Sequence, residues 1–197
     1  MGGLEGAGPS DMADDRSDLS SDASGDDPFG HGAQRSSMLA QITQLVEQAT
    51  EGSAAIKMQA AAGLWELASE AENRQPIAQA GGLVPLIALV RDGTKAQQAQ
   101  AAGALWELAA DAQNQANIAR QGGIRPLVML AAKGTAGAKE QAAGALWELA
   151  VDSAKNQAAI FKAGGIKPLV ALAKGGTEAQ QEYATAALWS LAADPQV

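Results

Sequence analysis

Three glutamates recur at one position of a repeating pattern, and they are the residues best placed to do chemistry. Glu66, Glu107 and Glu148 each follow a tryptophan directly, and successive members are 41 residues apart. A close pair of carboxylates can act as general acid and base, but a periodic row suits a binding ladder better than a single catalytic site. We therefore predict an acidic track for Lys/Arg-containing segments, with an ordinary solvated helix face as the alternative.

The rest of the composition removes most catalytic and metal chemistry. The 197 residues include no cysteine and one histidine, His31. Without cysteine the chain has no thiol nucleophile, disulfide or thiolate zinc site. One histidine leaves a Ser-His-Asp triad or a histidine-based metal site nearly impossible to assemble. We predict a protein that is not an enzyme and needs no metal or cofactor.

Negative charge is concentrated at the N-terminus. The chain has 14 Lys+Arg against 22 Asp+Glu, a net charge of −8, and residues 1–36 carry −6 of it. This Gly-, Ser- and Asp-rich segment cannot bury enough apolar surface to offset the entropy of ordering, so we predict a disordered acidic tail. The acidic balance argues against a nucleic-acid or anionic-membrane partner.

The sequence contains no targeting signal that would indicate a particular subcellular location. The longest apolar runs are far shorter than a membrane-spanning helix requires, and the N-terminus has no apolar signal-peptide core. We therefore expect a soluble cytoplasmic protein without a membrane anchor, and the nucleus stays open as a second location.

The elements that must position the glutamates repeat with the same period. Trp65, Trp106, Trp147 and Trp189 are 41, 41 and 42 residues apart. The same spacing is followed by asparagines, prolines and glycine pairs, namely Asn73, Asn114, Asn156, Pro85, Pro126, Pro168, Gly81-Gly82, Gly122-Gly123 and Gly164-Gly165. The one extra residue lies within 152–155. A fixed period of this length is typical of stacked repeats.

Each repeat unit is predicted to contain three helices. The first, Gln115–Gln121 in one unit, ends at the glycine pair, which supplies a positive φ. The second carries proline in its first turn, where a missing N–H costs nothing. The third begins after a capping hydroxyl twelve residues before the tryptophan, and these caps are Ser53, Thr94, Thr135 and Thr177. Because the third helix is apolar on most sides, neighbouring units must cover it.

Two segments resemble the armadillo repeat: Gly-Gly-Ile-Lys-Pro-Leu-Val-Ala-Leu at 164–172 and Ala-Ala-Leu-Trp-Ser-Leu-Ala at 186–192. HEAT repeats share the period but lack the glycine pair. The resemblance implies an all-α armadillo-type solenoid, a right-handed superhelix of three-helix repeats, behind the disordered tail. It divides the chain into a partial repeat at 37–72, with second and third helices only, and full repeats at 73–113, 114–155 and 156–197.

The resemblance also implies a function. Armadillo proteins are adaptors that bind extended peptides or other proteins in a concave groove lined by the third helices, and the module is not an enzyme. This chain is therefore expected to be a protein-binding scaffold. In nuclear-import receptors a third-helix asparagine holds the partner's backbone. That position falls here on Glu66, Glu107, Glu148 and Ser190, or, aligned on tryptophan, on Ser69, Ala110, Val151 and Ala193; neither set contains asparagine.

The spacing of residues along the third helices predicts the same binding face, independently of the resemblance. Positions three, four and seven apart share one stripe of a helix, and stacked helices would place one carboxylate about every 10 Å. The predicted partner-binding residues are Glu66, Glu107, Glu148 and Ser190, flanked by Glu70, Asp111, Asp152, Tyr183, Gln59, Gln100 and Gln141. The aspartates have a second interpretation as caps of the following helix. The tryptophans are interpreted as packing between units, with partner contact as the alternative.

Two further hypotheses belong to other functional classes. The chain could be a structural module or fragment of a larger array in a cytoskeletal, ciliary or trafficking assembly, associating through its repeat ends, because no polar capping repeat is evident. Alternatively, the acidic tail could compete in cis for lysines such as Lys162, Lys167 and Lys174.

Overall fold

Eleven helices and no strands make up the part of the chain that the structure describes. The computed structural model describes residues 31–193, apart from the side chain of His31. The helices are α1 His31–Glu51, α2 Ala54–Ser69, α3 Ala71–Gln79, α4 Leu83–Asp92, α5 Lys95–Ala109, α6 Ala112–Arg120, α7 Ile124–Lys133, α8 Ala136–Ala150, α9 Ala154–Lys162, α10 Ile166–Gly175 and α11 Glu178–Ala192. Within this range, no helix has both the length and the apolar character needed to cross a bilayer.

The helices stack in three layers, as an armadillo-type solenoid requires. The third helices α2, α5, α8 and α11 contact one another in that order. The second helices α1, α4, α7 and α10 form a parallel layer, and the first helices α3, α6 and α9 form another. Leu64, Leu105 and Leu146 of the third helices are completely buried, so each unit's core is closed by its neighbours. The fold predicted from the repeat is confirmed.

The start and stop signals of the helices lie where the sequence places them. Gly81, Gly122 and Gly164 have φ of +86°, +79° and +79°, a region that side chains disfavour. The four predicted hydroxyl caps each accept a hydrogen bond from the first turn of a third helix. Thr94 with Gln97 and Thr177 with Gln180 form complete capping boxes. These local signals set where each tryptophan and glutamate lies along its helix.

The two capping-box glutamines also form hydrogen bonds between neighbouring third helices. The Nε2 atoms of Gln97 and Gln180 donate to the carbonyl oxygens of Ala54 and Ala136 at 2.7 Å. Both glutamines are buried, so these bonds are protected from water. The corresponding residue of α8 is Ala138, which has no side-chain amide and so cannot form this bond. The register of α2 against α5, and of α8 against α11, is therefore fixed by a polar contact as well as by apolar packing.

Some boundaries differ from those predicted. Helix α1 begins at His31, six residues before the boundary drawn at residue 37, because extending an existing helix costs little once its first turn has formed. Helix α6 begins at Ala112, before the predicted Gln115, because Asp111 caps it. Residues 1–30, which hold most of the predicted disordered tail, lie outside the described residues. The predicted partial repeat at 37–72 contains most of α1, all of α2 and the first two residues of α3.

Candidate binding groove

Two tryptophans of the third helices, Trp65 and Trp106, lie against glycines of the next repeat. A Cβ added to Gly103 would be 2.6 Å from the Trp65 ring, and one added to Gly144 would be 2.6 Å from the Trp106 ring. Each indole therefore lies directly on the neighbouring helix, and its remaining surface is partly exposed. We call this side of α2, α5, α8 and α11, with the tryptophans and the glutamates that follow them, the groove face. The interpretation as packing between units is right for these two rings.

Trp189, on α11, differs from the other tryptophans because its side chain is 79% exposed. Together with Asp152 and Ser190 it lines a cleft of about 520 Å³ between α11 and the link that follows α8. The structure thus brings two of the predicted site residues, Asp152 and Ser190, to one cleft beside an exposed indole.

The three glutamates of the predicted track are not equivalent. Glu66 is exposed, whereas Glu107 and Glu148 are half-buried. Burial raises the pKa of the Glu148 carboxyl; the Arg74 guanidinium opposes this shift, and the nearby Glu107 carboxylate adds to it. These two carboxylates are partly desolvated on adjacent helices, and a cation bound between them would reduce their electrostatic repulsion. The acidic track is therefore strongest between α5 and α8.

Arg74 already places one positive charge in this track. Its Nη2 lies 3.6 Å from Oε2 of Glu107, and its Nε donates to the carbonyl oxygen of Ala68 at 3.1 Å. Helix α3 thus holds the guanidinium against the end of α2 and turns it toward α5. A partly exposed pair of this kind contributes at most about 1 kcal/mol to stability, so its main effect is to neutralise part of the track.

Asp111 behaves as a cap of the following helix. Its Oδ1 accepts from the backbone N of Asn114 at 2.9 Å and from Nε2 of Gln75. With these donors on one oxygen, Asp111 also joins α3 to α6. The cap interpretation of the aspartates is correct at this position.

Asp152 and Glu70 occupy the corresponding links without forming caps. Asp152 has a positive φ of +51° and is exposed, and Ser153 precedes α9 without a side-chain capping bond. The link 151–153 is one residue longer than the link 110–111, which places the extra residue of the last repeat within the region predicted from the sequence. Glu70 is also exposed and makes no side-chain capping bond to α3. Both carboxylates are free to face solvent or a partner.

The glutamines of the predicted site share the position six residues before each tryptophan. Gln59 is exposed, whereas Gln100 and Gln141 are half-buried. The Oε1 atom of Gln141 is buried and accepts no hydrogen bond from another described residue. At the same position α11 carries Tyr183, whose ring centroid lies 4.7 Å from that of Trp106 and 6.3 Å from that of Trp147. Burial raises the pKa of the Tyr183 hydroxyl, and Glu182 and Glu140 add to the shift.

Sequence reasoning missed the residues that follow the recurring asparagines. Arg74, Gln115 and Gln157 each follow a buried asparagine and point a long polar side chain toward a third helix. The Nε2 of Gln115 donates to the Glu148 carbonyl oxygen at 2.8 Å, and that of Gln157 donates to the Ala150 carbonyl oxygen at 2.8 Å. The available signal was the recurrence of Asn followed by Arg or Gln at a fixed distance from the tryptophan.

Comparison with known families gives one repeat model. The Armadillo/beta-catenin-like repeat model matches residues 70–110, 111–151 and 153–193, more than half of the chain. The residue between the second and third matches is Asp152, which has the positive φ described above. No curated protein sequence matches the chain significantly.

Several solved structures share the fold. An engineered protein from the Northeast Structural Genomics Consortium is 30% identical with a TM-score of 0.74; the match covers 78% of this chain and 63% of that one. A computationally designed armadillo repeat protein for modular peptide recognition is 25% identical with a TM-score of 0.76, covering 81% and 68%. A designed armadillo repeat protein in complex with the peptide (KR)4 is 24% identical with a TM-score of 0.70, covering 76% and 64%. The chain thus spans less than two thirds of the first of these proteins.

Proposed function

The chain belongs to the Armadillo/beta-catenin-like repeat family, and from this premise we propose that it is a non-enzymatic scaffold that binds an extended, Lys/Arg-containing segment of a partner protein along its groove face. One observation carries the proposal: a tryptophan followed directly by a glutamate recurs at the same position of consecutive third helices. These pairs are Trp65-Glu66, Trp106-Glu107 and Trp147-Glu148.

Each pair offers two attractions to a cationic side chain. The face of an indole attracts an ammonium or guanidinium group, by about 0.5–2 kcal/mol depending on desolvation, and the adjacent carboxylate can accept a charge-assisted hydrogen bond. Packed helices lie about 8–10 Å apart, and an extended chain rises about 3.3 Å per residue. Successive pairs would therefore meet partner positions that are two to three residues apart.

The designed relatives support the general form of this proposal. One of them was made for modular peptide recognition and is similar to this chain over 81% of its length. Another was solved with the peptide (KR)4, and its likeness to this chain establishes the fold alone. The proposed preference for basic segments therefore rests on the chain's own carboxylates, and in particular on the two half-buried ones.

Titration calorimetry with a matched set of peptides tests the proposal. We expect an alternating Lys-Arg peptide to bind, and a peptide of the same length with Gln in place of every Lys and Arg to bind at least about tenfold more weakly. Added salt should weaken the first complex and leave the second nearly unchanged. Equal affinity for the two peptides would contradict the preference for basic partners.

Replacing Arg74 with glutamine should strengthen binding of the Lys-Arg peptide. Glutamine is the residue at the corresponding positions 115 and 157, so the change fits the repeat. It removes the cation 3.6 Å from Glu107, and we expect the affinity to rise by about threefold to tenfold, since a charge near a protein surface contributes on the order of 1 kcal/mol. Titration calorimetry at low salt measures the change.

Arg91→Gln is the matched control for this variant. Arg91 is exposed on α4 and pairs with the adjacent Asp92 at 2.7 Å, so the control makes the same change in net charge away from the groove face. Its affinity for the peptide should differ little from that of the wild type. If the two variants bind alike, Arg74 does not compete with a partner's cation.

Association through the repeat ends is a second proposal, and the 79% exposure of the Trp189 side chain favours it. The partner at this end would be a second copy of the chain or further repeats of a longer array. Size-exclusion chromatography with light scattering tests the first option: we expect a concentration-dependent mass, reduced by Trp189→Ala. A constant monomer mass over the whole concentration range would exclude association between copies.

A further inference from the structure

Tyr183 is one of the positions at which the groove face of α11 departs from the repeat pattern. The residue six positions before the tryptophan is Gln59, Gln100 or Gln141 in the other third helices and Tyr183 in α11. A neutral, flexible amide is thereby replaced with a ring that is half-buried. The substitution needs a structural or functional reason, because the flanking cap and tryptophan of α11 are unchanged.

The Tyr183 ring reaches two tryptophans on two different helices. It lies edge-on to Trp106 of α5, with centroids 4.7 Å apart and planes at 64°. It lies nearly parallel to Trp147 of α8, with centroids 6.3 Å apart and planes at 17°. Both arrangements are favourable for aromatic pairs. The three rings form one cluster, which we call the aromatic cluster.

The aromatic cluster lies over α8 because Gly144 lets a ring pack directly on this helix. Helix α8 lies between α5 and α11, and its Gly144 accommodates the Trp106 ring, since a Cβ there would be 2.6 Å from that ring. The Trp106 indole of α5 thus extends over α8 and meets Tyr183 of α11. The Tyr183 ring therefore covers indole surface that would otherwise face the groove.

The preceding repeat has no ring at the corresponding position. There, register places Gln141 of α8 where Tyr183 stands in the last repeat, opposite Trp65 and Trp106. The Oε1 atom of Gln141 is buried and lacks a hydrogen-bond donor among the described residues. Among the described residues, no ring contact is found for the Trp65 indole, which leaves it available for a cation–π contact, whereas the Trp106 and Trp147 indoles both contact Tyr183.

We propose that Tyr183 is an internal plug: it fills the space between Trp106 and Trp147, closes that part of the groove to a partner's cationic side chains, and so confines an extended basic segment to the α2–α5 part of the groove face. This inference rests on the proposed function, since it assigns which parts of the same groove accept side chains. It makes Tyr183 a residue that sets the length and register of the bound segment.

A series of alternating Lys-Arg peptides of increasing length tests the plug. The wild type, Tyr183→Gln and Tyr183→Phe are compared by titration calorimetry, after circular dichroism has shown that each variant is folded. Glutamine is the residue used in the other repeats, and phenylalanine keeps the ring without the hydroxyl. We expect the affinity of the wild type to stop rising at a short length. For Tyr183→Gln it should continue to rise, ending about tenfold tighter for the longest peptide.

Comparison of Tyr183→Phe and Tyr183→Gln with the wild type decides whether the ring is the plug. Tyr183→Phe should match the wild type at every length, because the plug is the ring. If Tyr183→Gln is the only one of the three proteins that binds the peptides, this result would also support the plug. If the wild type binds and Tyr183→Gln shows the same length dependence or weaker binding, the plug is wrong while the proposed function stands. If no peptide binds to any of the three proteins, both the plug and the basic-peptide groove are wrong.

Discussion

Replacing Gly144 with alanine is expected to destabilise the solenoid by about 1–3 kcal/mol, the usual cost of overpacking. Alanine in place of glycine ordinarily stabilises a helix by about 1 kcal/mol, so the expected sign is opposite to that of helix propensity. The reason is the 2.6 Å separation between the new Cβ and the Trp106 ring. Either the ring leaves its place in the groove or α5 and α8 move apart, and both changes disrupt the aromatic cluster.

Gly137→Ala is the matched control on the same helix. No atom lies within 4 Å of a Cβ added there, so this variant should be neutral or more stable by up to about 1 kcal/mol. Urea unfolding followed by circular dichroism gives the free energies of unfolding, and tryptophan fluorescence reports the displacement of Trp106. Equal stability of the two variants, with an unchanged emission spectrum, would contradict the close packing of Trp106 on α8.

Replacing Glu66, Glu107 and Glu148 together with glutamine is expected to weaken binding of a Lys-Arg peptide by about threefold to thirtyfold. Each partly exposed contact between a carboxylate and a cation contributes about 0.3–1 kcal/mol. The segment confined by Tyr183 contacts Glu66 and Glu107 directly, and Glu148 adds a weaker attraction over a longer distance. Glutamine keeps the shape of the side chain and its ability to accept a hydrogen bond. The loss should therefore reflect charge, and the salt dependence of binding should flatten with it.

The control for this variant removes three carboxylates from another layer. Glu47→Gln, Glu51→Gln and Asp92→Asn change the same number of exposed charges on α1 and α4, and together they should alter binding by less than about threefold. A loss equal to that of the groove variant would mean that net charge, rather than the groove face, governs the affinity.

The pH dependence of the wild type has a defined sign. Because burial raises the pKa of Glu148, this carboxylate gains its proton at a higher pH than an ordinary glutamate as the solution is acidified. The affinity of the wild type should fall only slightly at that point, because Glu148 acts on the bound segment over a distance. The fall should be larger in Tyr183→Gln, whose peptide is expected to reach α8, and the triple variant should lack this component. For stability the sign is reversed: with its folded-state pKa above the unfolded value, Glu148 is unfavourable when charged, and acidification through the folded-state pKa relieves this penalty.

Much of the fold could be predicted from the sequence because its signals are local. The glycines at positive φ, the hydroxyl caps and the tryptophan spacing each act within one turn or one repeat, and the structure has them in the expected places. Helix starts were less well predicted, since the capping role of Asp111 was only one of two interpretations of that residue.

The contacts that shape the groove could not be predicted, because they join different repeats. Arg74 of α3 reaches Glu107 of α5, and Trp106 of α5 packs on Gly144 of α8 and contacts Tyr183 of α11. Register placed Tyr183 on the groove face, but it gives no information about how far a side chain extends along that face. The acidic track thus stays a prediction from the sequence, which missed the Arg74 cation beside Glu107 and the aromatic cluster around Tyr183.

A crystal structure of the chain with an alternating Lys-Arg peptide would locate the bound segment directly. We expect an extended peptide on the groove face, with cationic side chains beside Trp65, Glu66 and Glu107 and none between Trp106 and Trp147. A peptide bound to the second-helix layer of α1, α4, α7 and α10 would contradict the proposed groove, as would one held without contact to any of the three glutamates.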